Sequence, residues 1–347
     1  MTVSILPKGS AFVRGAIAIA VAKGDMLQAS EYAAHRWGER SPAVSVTRAA
    51  VAGGSTAEGN WGSALATEAA ASAAEFMTIV RRLSIVGRLA GLRRVPPITP
   101  VIAQVGGAEG AWVKEGAPIP LSNMSFERLV MPTLKVAAMC VVSEELLRSS
   151  DPSAEATIQA DLVRAVVEAS DAAFIDPLNA GVAAQQPASV TYGVTPIAAS
   201  GVMRADIDRL VASFEGDLQS AYFVGAPKLL AQIAGEEFPN VGARGGEILG
   251  IPALASSGVP NNADAEYRLA LVDPTGIVFT ANDGAAEIKV SRQGAIQMRD
   301  DPVTGGAPMV SMFQVNAVAI AALLHENWQA VRPGSAALLD GITPVEA

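Results

Sequence analysis

The chain has 347 residues, of which 50% are hydrophobic, yet it contains no apolar run near the ~18 residues that a membrane-spanning helix needs. Its formal net charge of -9 argues against a protein that wraps nucleic acid, because neutralising a phosphate backbone requires clustered Lys and Arg. High apolarity without a membrane segment instead indicates that neighbouring subunits cover much of the surface.

The first stretch of the chain, residues 1–62, is rich in alanine and predicts two or three short helices separated at Ser41-Pro42 and at residues 53–55. The apolar run 16–22 has some likeness to a signal peptide, but its helix-compatible pattern continues beyond the possible cleavage site. We therefore expect an N-terminal arm rather than a domain.

Helical spacing of apolar residues predicts a helix over residues 64–83. A cluster of arginines accompanies its end: Arg81, Arg82, Arg88, Arg93 and Arg94. The cluster could contact nucleic acid or an acidic neighbour, or it could be ordinary solvated and paired surface charge, and the pattern favours the second interpretation.

Residues 98–105, 112–114 and 125–131 predict extended segments around turns rich in Gly and Pro, which together make a long hairpin-like excursion. Its tip, residues 115–122, has too few buriable side chains to form its own core, so it needs another surface to lie on. A buried strand is predicted over residues 133–142, followed by a helix start with Ser143 as its cap.

The clearest helix spans residues 151–175, with Asp151 as a cap and Pro152 in its first turn. Its predicted buried face comprises Ile158, Leu162, Val166, Ala169 and Ala173. Beyond it the pattern is mixed. Helices are predicted at 204–214 and 227–233, strands at 221–224, 251–255, 270–272, 277–280 and 287–292, and a final apolar stretch at 309–324.

Residues that often carry chemistry are few and scattered. None of the common nucleotide-binding, hydrolase or zinc-protease motifs occurs, and His35 and His325 lie far apart in sequence. The single cysteine, Cys140, predicts a buried structural thiol. Adjacent acids at 144–145, 236–237 and 300–301 predict solvated charge, because neighbours in sequence point apart. We expect no catalytic site, cofactor or metal.

An ordered string of motifs carries a family resemblance. The sequence WVKEGAPIP at residues 112–120, the pair Ser125-Phe126 and the sequence SEELL at residues 143–147 resemble the tailed-phage major capsid protein family with the Hong-Kong-97-type fold. The sequence SMFQVNAVAI at residues 311–320 is similar to late segments of the same family. The resemblance covers the chain from about residue 98 onward.

The resemblance implies an α+β fold with defined segments. These are an N-terminal arm (1–62), a helix and lead-in (63–97), an extension loop (98–131), a peripheral domain with a long spine helix (132–180), an axial domain (181–285), a return to the peripheral domain (286–331) and a C-terminal segment (332–347). It also implies subunit contacts at the extension-loop tip, Glu115, Gly116, Ala117, Pro118, Ile119 and Pro120, and at a peripheral loop with Asp300 and Asp301.

The implied function is a structural one. Family members assemble into hexamers and pentamers of an icosahedral shell around double-stranded DNA, with portal and scaffolding or decoration proteins as further partners. The virion capsid, assembled in the bacterial cytoplasm, is the expected location, with no membrane involved. The alternatives are an encapsulin-type nanocompartment or a gene-transfer-agent shell and, more remotely, a soluble α/β enzyme.

Some family members link their shells covalently through a lysine near the loop tip. Here the corresponding position is Ile119 and the nearby lysine is Lys114, so we expect no such cross-link. Some members also lose an N-terminal segment to a protease. We expect residues 1–62 to remain as an arm or to act as a built-in assembly segment.

Overall fold

The computed structural model describes residues 10–22, 25–49, 78–106, 112–114, 125–143, 145, 152–281, 287–291, 295–297 and 309–344. They contain both helices and strands, and the α+β class predicted from the sequence is confirmed. The helices are α1 (Ser10–Val21), α2 (Met26–Trp37), α3 (Pro42–Ala49), α4 (Ile85–Arg88), α5 (Pro152–Ile175), α6 (Met203–Ser213) and α7 (Pro227–Ile233). The strands are β1 (Arg93–Arg94), β2 (Pro100–Gly106), β3 (Ser125–Val130), β4 (Leu134–Ser143), β5 (Ile197–Ala198), β6 (Tyr222–Gly225), β7 (Val241–Gly242), β8 (Gly245–Ile248), β9 (Ile251–Ala255), β10 (Tyr267–Val272), β11 (Ile277–Ala281), β12 (Glu287–Ser291), β13 (Ala295–Gln297), β14 (Met309–Ser311), β15 (Ala317–Ala330) and β16 (Ala336–Ile342).

The chain divides into two compact units, each drawn from three separate stretches. The first unit comprises Met1–Arg82, Val136–Val167 and Asp283–His325. The second comprises Leu83–Lys135, Glu168–Asn282 and Glu326–Ala347. The segment boundaries implied by the family resemblance stay a prediction.

Small side chains pack the three N-terminal helices of the first unit closely together. Alanines of α1 and α2 meet Ala43 and Val44 of α3 in one buried cluster. A Cβ atom at Gly15 would lie 2.7 Å from Cγ1 of Val46, so glycine is needed where α1 approaches α3. Asp25 caps α2 by accepting hydrogen bonds from the backbone N–H groups of Leu27 (2.9 Å) and Gln28 (3.2 Å).

The main core of the first unit gathers side chains from α1, α5, β4 and β15. Val13 and Ile17 of α1 pack there with Leu162 and Val166 of α5. In the same unit, β12 pairs antiparallel with β15, and β13 pairs antiparallel with β14. The stretch predicted as an arm therefore contributes buried side chains to this core.

Two details of burial differ from the sequence prediction. Strand β4 is not buried throughout: its side chains alternate, and that of Met139 is 56% exposed. On α5, Ile158, Leu162 and Val166 are buried as predicted, but Ala169 is exposed, because the buried stripe continues instead through Ser170 and Phe174.

A seven-stranded sheet organises the second unit, in the order β5-β16-β10-β6-β9-β8-β7. Both faces of this sheet are buried. Leu269, Leu271 and Leu339 face a cluster that includes side chains of α6 and α7, whereas Val272 and Leu338 face a cluster that includes Phe174 of α5 and Trp328. Strand β16, which pairs with β10 and β5, falls within the segment for which the sequence predicted no strand.

Candidate assembly site

The predicted contact residues Glu115, Gly116, Ala117, Pro118, Ile119 and Pro120 lie outside the described residues, and so do Asp300 and Asp301. The flanking strands are defined. β2 and β3, which flank the first set, pair with each other, and so do β13 and β14, which flank the second. Both predicted sets therefore belong to connections of antiparallel hairpins.

Strands β2 and β3 form a separate two-stranded sheet, paired from Pro100↔Val130 to Gly106↔Ser125. At about 3.3 Å per residue the hairpin extends over ~20 Å. Within the described part of the chain, neither strand pairs with a further strand. A two-stranded ribbon is only marginally stable alone in water, so this hairpin requires packing against another surface.

The hairpin is anchored at its base. Leu129 and Met131 pack against Val278 of β11, and the backbone N–H of Ile98 donates a 3.0 Å hydrogen bond to the carbonyl of Met131. The neighbouring side chain of Val130 is 50% exposed and that of Ile98 is 72% exposed. The base is thus fixed to the second unit and presents apolar side chains to solvent.

Residues 112–114, within the connection between β2 and β3, have no regular secondary structure. The side chain of Trp112 is fully exposed. A large aromatic side chain that is exposed to solvent is typical of a surface that binds a partner. This exposure supports the prediction that the hairpin is an interface element.

A groove of about 520 Å³ lies within the second unit. Three stretches line it: Pro132 and Leu134 just before and at the start of β4, a loop within residues 180–192, and residues 327–330 of β15. Most of its lining side chains are apolar, and Val182 and Tyr192 at the groove are 51% and 52% exposed. The groove could not be predicted from the sequence, because it is lined by three stretches that lie far apart in the chain.

Hydrogen bonds hold the loop of the groove against the end of α5. Ser189 Oγ donates to the carbonyl of Phe174 (2.9 Å) and Thr191 Oγ1 donates to that of Ile175 (2.6 Å), so carbonyls at the helix end are satisfied. Asn179 Nδ2 donates to the carbonyl of Pro187 (3.0 Å). Trp328 Nε1 donates to the carbonyl of Ala188 (2.9 Å). The groove is therefore preformed.

A buried acid, Asp171 of α5, joins three segments of the second unit. Its Oδ1 atom accepts hydrogen bonds from Ser84 Oγ (2.9 Å) and from the backbone N–H of Ile85 (2.9 Å) at the start of α4. Its Oδ2 atom accepts a bond from Ser256 Oγ (2.5 Å), in the loop after β9. Burial raises the pKa of Asp171 to about 6, against the opposing effects of these hydrogen bonds and of the nearby Arg88.

The sequence contains a signal for the buried Asp171 that apolar periodicity alone does not bring out. Asp171 lies four residues after Val167 and three before Phe174, and both are buried, so an acid stands on the apolar stripe of α5. A carboxylate at such a position needs internal hydrogen-bond donors. Its neighbour Arg88 is partly buried: Nη2 donates to the carbonyl of Ala255 (2.5 Å), and burial lowers the pKa of Arg88.

Two further buried acids are structural. Burial acts to raise the pKa of Asp206, but hydrogen bonds from Ser200 and Arg209 outweigh it and lower the pKa. The same balance lowers the pKa of Asp273, which accepts hydrogen bonds from Thr275 and Ser220. Both acids stabilise turns of the second unit through these hydrogen bonds.

The remaining candidates for chemistry are dispersed. Glu236 and Glu237 are exposed, as predicted for solvated charge, and His35 is exposed on α2. Cys140 is half-buried, and burial raises the pKa of its thiol. The described ranges contain no group of three or more His, Cys, Asp or Glu side chains able to hold a metal ion. Over the same ranges, no helix has the length and apolarity to cross a membrane.

Comparisons with known proteins give consistent matches. The model of the phage capsid family matches residues 69–323. The capsid polyprotein of Pseudomonas phage PAJU2 is 34% identical over 319 aligned positions, and the match covers 86% of this chain and 48% of that protein. The chain thus spans about half the length of this curated relative.

Solved structures also resemble the chain at lower identity. One from Gordonia phage Cozz is 17% identical with a TM-score of 0.49, covering 75% of this chain and 87% of that chain. The capsid of a native GTA particle is 17% identical with a TM-score of 0.44, covering 77% and 91%.

Proposed function

The chain belongs to the phage capsid family, and from that membership we propose that it is the major capsid protein of a tailed bacteriophage. Copies of the chain associate into hexamers and pentamers, which close into an icosahedral shell around double-stranded DNA. The function is structural, and no residue is assigned a catalytic role.

The β2–β3 hairpin is the observation that supports this proposal most directly. It is a ribbon without a core of its own, fixed to the second unit at its base, and the connection between its strands carries a fully exposed Trp112. Such a ribbon is stable only where another surface packs against it. In a shell, neighbouring copies provide that surface.

Specific contacts follow from the family pattern. The extension-loop tip, with Glu115, Gly116, Ala117, Pro118, Ile119 and Pro120, contacts a neighbouring subunit. Asp300 and Asp301 belong to a second contact in the peripheral loop. The proposed segments are those inferred from the sequence, with the spine helix corresponding to α5.

Further partners are proposed on the same basis. A portal and scaffolding or decoration proteins join the shell, which is assembled in the cytoplasm of the bacterial host and becomes part of the virion. The acidic chain, with its net charge of -9, encloses DNA without binding a particular sequence.

Negative-stain electron microscopy with light scattering tests the proposal. We expect closed shells or rings of six and five copies from the purified chain. Deletion of residues 115–122 should abolish shells while leaving the circular dichroism spectrum and thermal unfolding of the subunit close to wild type. Regular shells from the deletion variant, or a uniform small oligomer from the wild type, would contradict the proposal.

The content of the particles distinguishes a phage shell from its nearest alternatives. We expect shells produced with their packaging partners to hold nuclease-resistant double-stranded DNA of phage origin. An enzyme cargo that copurifies with the shells would instead indicate an encapsulin-type compartment. Random fragments of host DNA would indicate a gene-transfer agent.

A further inference from the structure

We propose that helix α1 is a permanent component of the first unit, so that the N-terminal helices stay with the subunit, and with the shell, even when the chain is cut between α3 and residue 78. Only the part that concerns the shell rests on the proposed function. Four observations support the proposal: the burial of α1, its fit to α2 and α3, the apolar core that it completes and the separate anchoring of the two sides of residues 50–77.

Helix α1 is enclosed by protein. Every residue of Ser10–Val21 whose burial the structure describes is buried or half-buried. One face, with Val13 and Ile17, packs into the main core of the first unit. Another face, with Ala18, packs with α2 and α3. A helix that is apolar around most of its circumference belongs to a protein interior, whereas a surface helix keeps a polar face.

The contacts of α1 with the other two N-terminal helices are specific. A Cβ atom at Gly15 would lie 2.7 Å from Cγ1 of Val46, so the two helices approach each other closely at this point. Arg14, the one charged residue of α1, places its guanidinium carbon 5.5 Å from the ring centroid of Trp37 in α2. The three helices therefore form one packed body that α1 joins to the core.

The core that α1 completes is apolar and comes from distant parts of the chain. Leu162 and Val166 of α5 belong to it, together with Val318 and Ile320 of β15, and each of the four is at most 3% exposed. Without α1 this core would lose one of its walls, and exposure of a contiguous apolar surface to water is unfavourable. The hydrophobic effect therefore opposes the release of α1 even after a peptide bond is broken.

Both sides of residues 50–77 are anchored in the first unit by their own side chains. On the N-terminal side, α1 and α3 are held by the contacts described above. On the C-terminal side, Val80 is buried in the same core cluster as Val13 and Ile17. These contacts are all made by residues outside 50–77, so a cut within that stretch leaves them in place.

An engineered cut tests the proposal in the full chain. A recognition sequence for a site-specific protease is inserted between Gly53 and Gly54, and cleavage of the unassembled subunit is verified on a denaturing gel. We expect the two fragments to elute together from a size-exclusion column in native buffer, in equal amounts, and to separate only in denaturant. Shells assembled from the cut subunit should also contain both fragments in equal amounts.

Two matched substitutions measure how firmly α1 is held. In the cut protein, Ile17→Ala removes a side chain that is 4% exposed, and it should lower the urea concentration at which the N-terminal fragment is released by about 1 M or more. Leu27→Ala, at a position of α2 where the side chain is 61% exposed, should leave that concentration close to the wild-type value. The uncut variants, followed by circular dichroism in urea, should show the same order of stability, which makes the comparison independent of the cut.

The outcomes separate failure of the retention from failure of the function. An N-terminal fragment that leaves the cut subunit in native buffer, while the remainder keeps its circular dichroism spectrum, would overturn the proposal. Equal release of the fragment from wild type and Ile17→Ala would do the same. Shells that contain only the C-terminal fragment would overturn the part that concerns the shell. Absence of shells from the uncut wild type would count against the proposed function, whereas chromatography of the cut subunit would still decide whether α1 is retained.

Discussion

The buried acid Asp171 gives a prediction that can be worked through in magnitude. Its pKa is raised from 3.8 to about 6, mainly by burial. The folded state therefore binds this proton more tightly than the unfolded chain. At ~1.4 kcal/mol per pH unit, the difference corresponds to about 3 kcal/mol. This contribution to the free energy of unfolding is fully present below pH 3.8 and is lost as the pH rises through about 6.

Replacement by asparagine removes the titration and retains the shape. The amide oxygen of Asp171→Asn still accepts bonds from Ser84 and Ile85, and its NH2 group can donate to Ser256 Oγ, which then acts as acceptor. We expect the free energy of unfolding of the variant to lack the fall of about 3 kcal/mol between pH 4 and pH 6 that this group gives the wild type. Above pH 7 the difference between the two proteins should be constant.

Urea unfolding of the unassembled subunit at pH 4.0, 5.0, 6.0 and 7.5, followed by tryptophan fluorescence, measures the effect. Asp161→Asn is the matched control, because Asp161 lies on the same helix with its side chain 52% exposed. Asp171→Ala separates the effect of the charge from that of the hydrogen bonds. It leaves the buried donors without an acceptor, which should lower the free energy of unfolding by about 1–3 kcal/mol for each donor. If wild type and Asp171→Asn differ by the same amount at every pH, the assignment of the titration to Asp171 is wrong.

Two further substitutions test packing and capping. Gly258→Ala would place a Cβ atom 2.7 Å from Cβ of Asp171, so we expect a loss of about 1–3 kcal/mol in urea unfolding, whereas Gly242→Ala, with no atom within 4 Å of its new Cβ, should be nearly neutral. Equal effects of the two would refute the close contact. Asp25→Ala removes the cap of α2 and should cost about 0.5–2 kcal/mol, measured by thermal unfolding; an unchanged transition would show that the cap does not contribute.

Local signals made several elements predictable from the sequence. Helix α7 and strand β9 have the predicted bounds, Pro227–Ile233 and Ile251–Ala255, and α5 ends at Ile175 as expected. A proline at a helix start and a regular apolar spacing act within a few residues, so they can be recognised without tertiary information. The family resemblance, carried by motif order, is confirmed by the family match.

Other features depend on partners that are distant in sequence. Strand β16 is defined by pairing with β10 and β5, which lie far from it in the chain. The groove requires Trp328 to meet Ala188, 140 positions away. The alternating burial of β4 depends on which face of its sheet is covered by other parts of the protein. Residues 134–143 are mostly apolar, so their sequence shows no clear apolar–polar alternation from which the exposed face could be predicted. Periodicity alone does not reveal such contacts.

Because of the position of β16, the seven-stranded sheet can be completed only after this last strand has been synthesised. β16 is the last strand in chain order among the described residues, yet it lies between β5 and β10. A nascent chain that stops short of Ala336–Ile342 leaves an open edge on β10 and removes the partner of β5. Products of interrupted translation therefore cannot complete the seven-stranded sheet of the second unit.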